Sequence, residues 1–315
     1  MTLLFEGIKY IRRETCPQCH TKILPGWREK AEKLKAEKYS FGEYRIPAHG
    51  VDPTLVMVCL ECGLVFKDHV PTTECLSELF SASIGKAWRI NYDYSDELVL
   101  AKSYCKKPEA AILDIGSSNG YLPRKFTEFY SYVSALDVVP NPACEQYLTG
   151  EYILGLLDDP KLEWTGRLYD LVTVFDVVEH LYDVRQGMAN LNRLLNIGGH
   201  AIVETGDVES AFHRRYGVES WWYLNLIEHH QAFSEGTLTL AAQRAGFRVI
   251  LGRHKRHKSK SRLSWTGLLR RAAKSALYQA SPLLYRMISN DGGMPPSPFE
   301  RDHLLVVLQK TAECT

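Results

Sequence analysis

One short stretch, residues 110–122, constrains the fold of this chain more than any other. Residues 110–115 form an apolar run that is long enough for one buried strand and too short for a helix. Gly116 and Gly120 flank the polar turn that follows, and residues 121–130 have the composition of a helix. Because glycine lets the backbone approach a ligand closely, this strand, turn and helix predict a nucleotide-type binding element.

Further strands and helices follow this element in an α/β order. Predicted strands cover residues 132–137, 152–156, 169–178, 200–204, 247–251 and 303–309, and predicted helices cover 184–195 and 235–245. Asp137 ends the second strand, 23 residues after Asp114. An acid at that place in a doubly wound sheet hydrogen-bonds ribose hydroxyls. The sequence therefore predicts an α/β fold built on a doubly wound sheet.

Three motifs in this part of the chain resemble those of class I S-adenosylmethionine-dependent methyltransferases. They are Asp-x-Gly-x-x-x-Gly at 114–120, Phe-Asp-Val-Val-Glu-His-Leu at 175–181 and Glu-His-His-Gln-Ala-Phe-Ser at 228–234. The resemblance covers about residues 100–252 and 299–310. It implies a seven-stranded Rossmann-like sheet and S-adenosylmethionine as the cofactor. Ser118 departs from the family, which usually has glycine there, and a serine fits if its φ is negative.

The resemblance also implies which residues bind the cofactor. In the family, the glycine loop wraps the methionine part, and the acid that Asp114 matches helps to anchor its ammonium group. Asp137 matches the acid on the ribose, and Asp158 or Asp159 matches an acid that meets the adenine amino group. The expected cofactor-binding residues are Asp114, Gly116, Ser117, Ser118, Asn119, Gly120, Asp137, Asp158 and Phe175.

Methyl transfer needs alignment of the acceptor and, for some acceptors, a base that removes its proton. His180 and His229 are the candidate bases, because both are expected at the carboxyl edge of the sheet, where ligands bind. Glu179 is the third predicted catalytic residue. The alternative is that Glu179 and His180 only begin a helix and line the cleft.

Two further features concern the acceptor side. Asp176, Glu179 and His180 resemble a pattern of the ubiquinone-pathway O-methyltransferases, in which a divalent cation near the acceptor is implicated. Two carboxylates and an imidazole are suitable ligands for such an ion. Residues 221–223 (Trp-Trp-Tyr) are expected either to wall the acceptor site or to be core aromatics.

Two Cys-x-x-Cys pairs stand near the beginning of the chain, Cys16 with Cys19 and Cys59 with Cys62. Such paired knuckles supply four thiolates in the tetrahedron of a structural zinc, which stabilises a fold and does no chemistry. Short strands around the second pair predict a zinc ribbon, beside a helix at 27–38. Free thiols or a redox pair are the alternatives.

The chain is expected to have four parts. They are a zinc-ribbon domain (1–75), a helical connector (76–109), a methyltransferase domain (110–252 with 299–315) and a basic amphipathic insertion (253–298). Residues 253–290 contain ten Lys and Arg and no acid, and apolar residues recur at helical spacing from 263 onward. This pattern predicts peripheral contact with an anionic membrane or a lipid-linked substrate. The alternative is a helix docked on the domain with solvated charges, and nucleic-acid contact ranks third.

The order of ribbon and methyltransferase also resembles bacterial sugar methyltransferases that open with a zinc-binding domain. It favours O-methylation of a sugar, glycan or lipid-linked precursor. A zinc-finger ribosomal-RNA methyltransferase and a non-catalytic scaffold are the alternatives, although a net charge of +1 argues against nucleic acid as a partner. Since residues 1–13 lack the apolar core of a signal peptide, the expected location is cytoplasmic, with peripheral contact at the inner membrane face.

Overall fold

The structure is a computed structural model. It describes residues 9–24, 32–33, 38–41, 44–47, 55–83, 94–210, 213–214, 222–255 and 302–314, together with single positions between 269 and 284.

The first part of the chain forms small β-sheets. Its strands are β1 (Tyr10–Arg12), β2 (Glu32–Lys33), β3 (Lys38–Phe41), β4 (Tyr44–Pro47), β5 (Leu55–Val58), β6 (Val65–Lys67) and β7 (His69–Pro71). The antiparallel β5–β6 hairpin carries the second cysteine pair between its strands, as the ribbon prediction requires. Strand β1 pairs with β7, and β3 pairs with β4.

The helix predicted at 27–38 is wrong over the residues that the structure describes there. Glu32 and Lys33 form β2, which pairs antiparallel with Val56 and Leu55 of the hairpin. The Lys- and Glu-rich composition favours a helix only weakly. Backbone hydrogen bonds offered by the free edge of β5 outweigh that preference.

Two helices follow in the connector, α1 (Thr73–Ser83) and α2 (Ser95–Tyr104). Glu97 of α2 is buried and forms an ion pair with Lys255, which also contacts Glu204 at 2.5 Å. This buried group of charges ties α2 to the edge of the main sheet. Between these two helices, residues 84–93 lie outside the described part of the chain.

The main sheet has seven strands, in agreement with the prediction. This part of the chain contains, in order, β8 (Ala111–Ile115), α3 (Tyr121–Phe126), β9 (Tyr132–Asp137), α4 (Pro142–Glu145), β10 (Tyr152–Leu154), β11 (Tyr169–Phe175), α5 (Val184–Leu194), β12 (Leu195–Gly206), β13 (Gln231–Ala232), α6 (Glu235–Arg244), β14 (Phe247–Lys255) and β15 (His303–Lys310). All of these strands except β13 belong to the main sheet. The strand order is β10-β9-β8-β11-β12-β15-β14. Strand β15 runs antiparallel to both of its neighbours, β12 and β14, and the other neighbouring strands of this sheet are parallel.

Side chains of the main sheet alternate between two buried clusters. In β8, Ala111, Leu113 and Ile115 join one cluster, and Ile112 joins the other. This period of two is the pleat of a strand that is buried on both faces. Met57, Leu64 and Phe66 of the ribbon hairpin belong to the first cluster, together with residues of α5 and α6. The ribbon therefore shares its core with the main domain.

Strand β13 lies outside the main sheet and joins the ribbon. Gln231 pairs with Phe66 and Ala232 pairs with Val65, which gives a second sheet in the order β13-β6-β5-β2. A strand from the second half of the chain thus extends the N-terminal hairpin.

Part of the predicted basic insertion belongs to the main sheet. Strand β14 continues to Lys255, beyond the predicted strand end at 251 and the boundary at 252/253. Among the few described positions farther on, Leu269 and Leu284 are helical, and they are 66% and 47% exposed. None of the helices in the described ranges has the length and apolar character needed to span a bilayer.

Candidate functional site

The loop between β8 and α3 has a tightly constrained backbone. Gly116 and Gly120 have φ of +75° and +74°. A Cβ at Gly116 would lie 2.5 Å from Cγ2 of Val177, and one at Gly120 would lie 2.7 Å from Cα of Cys144. Both positions therefore require glycine, for conformation and for space.

Ser118 is held in the same loop by two hydrogen bonds. Its φ is +48°, so the negative φ under which a serine would fit without strain is not adopted. The Ser118 N–H donates to Oδ2 of Asp137 at 2.8 Å, and its carbonyl accepts from Nδ2 of Asn141 at 2.5 Å. These bonds offset the cost of a left-handed serine, which is about 1–2 kcal/mol. The loop is thus built without the third glycine.

The other two loop residues make local hydrogen bonds. Ser117 donates through Oγ to the carbonyl of Asp114 at 2.7 Å, and Oδ1 of Asn119 accepts from the N–H of Tyr121 at 3.2 Å. Both fix the turn that leads into α3.

Two carboxylates stand side by side where β8 and β9 end. Asp114 is buried, and its Oδ1 accepts from the Thr173 hydroxyl at 2.6 Å. Burial raises the pKa of Asp114 to about 7, although the Thr173 bond acts in the opposite direction. Burial also raises the pKa of Asp137, whose Oδ1 accepts from the N–H of Val138 at 2.7 Å. Acids placed so are suited to a cationic group and to hydroxyl groups.

Asp158 has backbone partners on a different segment. Its Oδ2 accepts from the N–H groups of Tyr182 and Asp183, at 2.6 and 2.8 Å. The side chain is buried and fixes the chain where α5 begins. Its contact with adenine stays a prediction.

Aromatic rings gather beside the glycine loop. Phe175, at the end of β11, stacks on Tyr94 with ring centroids 5.5 Å apart and planes at 20°. Tyr94 also lies 6.1 Å from the ring of Tyr121. Tyr94 comes from the connector, so that segment reaches the predicted cofactor side of the sheet.

Glu179 is fully buried in a network of hydroxyl groups. Its Oε1 accepts from the Tyr223 hydroxyl at 2.5 Å, and its Oε2 accepts from the Thr205 hydroxyl at 2.8 Å. The Tyr223 oxygen in turn accepts from the N–H of Gly206 at 2.7 Å. Burial raises the pKa of Glu179 to about 8, and the charge of nearby Asp176 adds to this effect. Glu179 is therefore placed to hold the side chains of Tyr223 and Thr205 through these hydrogen bonds.

The two candidate bases lie next to each other, with ring centroids 4.9 Å apart. Nδ1 of His180 lies 2.8 Å from the carbonyl oxygen of Glu228. Because a carbonyl oxygen cannot donate, Nδ1 carries the proton and Nε2 holds a lone pair. His229 is buried, and burial lowers its pKa well below the usual value. His180 is therefore the better-placed base.

The predicted cation ligands do not come together as a set. Ligand atoms of Glu179, His180 and His229 lie within 4.8 Å of one another, and Asp176 is outside this group. Asp176 has a left-handed φ of +53°, and its Oδ1 lies 3.5 Å from Nε2 of His303. Burial opposes a charge on His303, but hydrogen bonds to Asp176 and Asp302 outweigh it and raise its pKa to about 10. Asp176 is thus committed to an ion pair.

All four predicted zinc ligands converge. Sγ of Cys16 lies 3.6 Å from that of Cys62, and Sγ of Cys19 lies 3.5 Å from that of Cys59. All four sulfur atoms lie within 4.8 Å of one another. In a zinc tetrahedron the sulfur atoms are about 3.8 Å apart. The cluster therefore fits a zinc ion in ligand type, number and spacing.

Sequence reasoning missed several residues of the site. Thr205 carries no motif, and only the fold brings it to Glu179. Glu228 begins the motif at 228–234, and its position next to His229 is the sequence feature that could have indicated a role in the site. Of the predicted acceptor wall, Trp221 lies outside the described residues, and Tyr223 is buried on Glu179.

Comparison with known proteins adds to this geometry. The family described as "Methyltransferase domain" matches residues 87–251, about half of the chain. A Bacillus halodurans C-125 protein described as a methyltransferase has 17% identity and a TM-score of 0.51, covering 69% of this chain and 100% of its own. The [4+2]-cyclase SpnF has 13% identity and a TM-score of 0.50, covering 76% of this chain and 97% of its own. The N-methyltransferase NodS of Bradyrhizobium japonicum WM9, in complex with S-adenosyl-L-homocysteine, has 16% identity and a TM-score of 0.46, covering 75% and 98%. None of the curated proteins matches this sequence.

Proposed function

The chain belongs to the family of methyltransferase domains, and from that premise we propose that it O-methylates a sugar, a glycan or a lipid-linked precursor. Its class is that of the S-adenosylmethionine-dependent methyltransferases. The fold alone would not establish the reaction, since a [4+2]-cyclase has a similar fold. The acceptor is the part that needs an argument from the site.

The tautomer of His180 carries the proposal for a hydroxyl acceptor. A hydroxyl group must lose its proton as its oxygen attacks, so it needs a base within hydrogen-bond reach. His180 is half-buried, and its Nε2 has no hydrogen-bond partner among the described residues. The Glu228 carbonyl keeps the proton on Nδ1, which leaves the Nε2 lone pair for the acceptor. Resemblance to O-methyltransferases and to zinc-bearing sugar methyltransferases favours a sugar-like substrate.

The residues around the glycine loop fit the cofactor. When bound, S-adenosylmethionine supplies an electrophilic methyl group on a sulfonium. We propose that Asp114 anchors the ammonium group and that Asp137 binds the ribose. Phe175 and Tyr94 would contact the adenine side of the cofactor. The backbone of the glycine loop would wrap the methionine part of the cofactor, through Gly116, Ser117, Ser118, Asn119 and Gly120. Asp158 would act on the adenine side through the loop that it fixes.

We place Glu179 and His229 in supporting roles. Glu179 is hydrogen-bonded by Tyr223 and Thr205, so it would stabilise the buried residues next to His180 and His229. His229 packs edge-on against His180 as a neutral imidazole, which keeps a second cation away from it. A divalent cation here would use Glu179, His180 and His229, with Asp176 replaced as a ligand by His229.

We propose that a zinc ion binds Cys16, Cys19, Cys59 and Cys62 within the unit formed by residues 1–75. Four thiolates leave no open coordination position, so the ion would stabilise the ribbon. Atomic absorption on the purified chain should give about one zinc per chain. Absence of zinc, with all four thiols titratable in the folded protein, would reject this site.

We propose peripheral membrane contact through residues 253–290. Exposed Leu269 and Leu284 supply apolar anchors, and the sequence of this stretch supplies ten basic residues, one of which, Lys255, is committed to its buried ion pairs. Sedimentation with phosphatidylglycerol vesicles should capture the wild type and release Leu269→Asp. Equal capture of both proteins, or none of the wild type, would reject the contact.

Methyl transfer to candidate acceptors tests the proposed reaction. The assay uses S-adenosylmethionine labelled in its methyl group, with sugar nucleotides and polyprenyl-linked sugars as acceptors. An active acceptor should gain an alkali-stable methyl ether with the wild type. His180→Gln should lose at least about a hundredfold in rate while it still binds S-adenosyl-L-homocysteine. Full activity of His180→Gln would reject His180 as the base.

A further inference from the structure

The cysteine cluster and the candidate acceptor site lie at opposite ends of one hairpin. Strand β6 begins three residues after Cys62, and it pairs with β13 through Phe66 and Val65. Strand β13 itself begins directly after residues 228–230, which include His229. Whatever fixes β6 therefore also fixes the segment that carries a candidate catalytic residue.

Lys67, the last residue of β6, makes two bonds to that segment. Its backbone N–H donates to the carbonyl of His230 at 2.8 Å, and its Nζ donates to the carbonyl of Leu226 at 2.8 Å. The two bonds hold the segment 226–230 at both ends, with Glu228 and His229 between them. Lys67 is only 2% exposed. Buried lysines are rare, because desolvation of the ammonium group is costly.

The held segment acts directly on His180. The carbonyl of Glu228 lies at its centre and fixes the proton of His180 on Nδ1. The Glu228 carboxylate is fully buried, and neither of its oxygens has a hydrogen-bond partner among the described residues. Lys67 thus holds the backbone on both sides of this buried carboxylate.

A second tether comes from the same side of the molecule. The Arg13 guanidinium, also buried, donates to Oε1 of Gln231 at 3.2 Å and to the carbonyl of Leu181 at 3.3 Å. It thereby joins β13 to the turn that carries His180. Arg13 and Lys67 of the N-terminal unit thus hydrogen-bond to both segments of the acceptor side, 178–182 and 226–232.

We propose that Lys67 is a positioning residue of the acceptor site, holding segment 226–230 so that the Glu228 carbonyl keeps His180 in its Nδ1–H tautomer. This role rests on the function of His180 as base that is proposed above. It makes the ribbon part of the structure that positions the acceptor site. Loss of Lys67 should disturb the acceptor side and spare the cofactor loop, because the bonds of Lys67 reach segment 226–230 and not the loop between β8 and α3.

Nitrogen-15 NMR of the histidine rings tests the proposal on the full, metal-loaded chain. The His180 signals are assigned by their absence in His180→Gln. In wild type, His180 should show one tautomer with the proton on Nδ1. Lys67→Met should show a mixture of tautomers and at least tenfold faster amide exchange over 226–232. Lys67→Arg and the exposed ribbon control Lys22→Met should behave as wild type, with zinc content unchanged in all.

Titration with S-adenosyl-L-homocysteine in the same samples separates this proposal from the proposed function. Its affinity should stay within twofold of wild type in Lys67→Met. Wild-type tautomer and wild-type exchange in Lys67→Met would overturn the role of Lys67. Failure of the wild type to bind the ligand would instead count against the proposed function. If Lys67→Met does not fold, Lys67→Leu removes the same Nζ donor, and a wild-type tautomer with wild-type exchange in that variant would equally overturn the role of Lys67.

Discussion

Cofactor binding should depend on pH through one buried carboxyl group, Asp114. Burial raises its pKa to about 7, and a cationic ammonium group would bind its ionised form. With a pKa of about 7, the ionised fraction is roughly 9% at pH 6 and 91% at pH 8. If only the ionised form binds, affinity for S-adenosylmethionine rises about tenfold between these two pH values.

Calorimetric titrations at pH 6, 7 and 8 measure this effect. The amino group of the ligand titrates too, so the informative quantity is the comparison with Asp114→Asn, which keeps the acceptor for Thr173. The ratio of Kd at pH 6 to Kd at pH 8 should be about tenfold larger for wild type than for the variant. At pH 7, paired buffers of different ionisation enthalpy should show about half a proton more released by wild type.

The control is Glu128→Gln, which removes an exposed acid near α3 and should retain the wild-type pH dependence. The same pH dependence in wild type and Asp114→Asn would refute the reasoning. The sign for the ligand-free protein is opposite to that of a salt-bridged acid. Since folding raises the pKa of Asp114, the folded state loses stability as pH rises from about 4 to 7, by at most about 4 kcal/mol.

Three further outcomes are expected. Gly120→Ala should lower the free energy of unfolding by about 2 kcal/mol or more, measured by urea denaturation, because of its φ of +74° and the contact with Cys144; wild-type stability would contradict this. Tyr223→Phe should cost about 1–3 kcal/mol in the same assay, since it removes the partner of buried Glu179 and of the Gly206 N–H, whereas Tyr147→Phe should cost under about 0.5 kcal/mol. Removal of zinc by a chelator should lower the Tm and expose the thiols of Cys16 and Cys59 to a thiol reagent, and an unchanged Tm after complete removal would contradict the structural role.

The main sheet was predictable because its signals are local. A short apolar run such as 111–115, followed by glycines, indicates a buried strand that ends in a turn. Asp114 and Asp137 lie 23 residues apart, near the ends of consecutive predicted strands, so the sequence indicates that the two acids meet at one edge of the sheet. The convergence of the four cysteines was predictable for the same reason, since paired knuckles have a fixed local spacing.

Contacts between distant segments were not predictable. Strand β13 has two residues and pairs with a strand more than 160 positions earlier, so no periodic pattern announces it. Residues 32–33 are a second example, because they pair with the edge of β5 although their composition favours a helix. The bonds of Lys67 and the network of Glu179 depend on these pairings. For that reason the sequence could name His180 but not the residues that orient it.

Equilibrium dialysis with methyl-tritiated S-adenosylmethionine tests the central claim most directly. The folded, metal-loaded chain should bind about one molecule with micromolar Kd, and Asp137→Ala should weaken binding by at least about tenfold at an unchanged fold. Binding that is equal in the two proteins would contradict the placement of the cofactor at the ends of β8 and β9. No binding by the folded wild type would contradict the account as a whole.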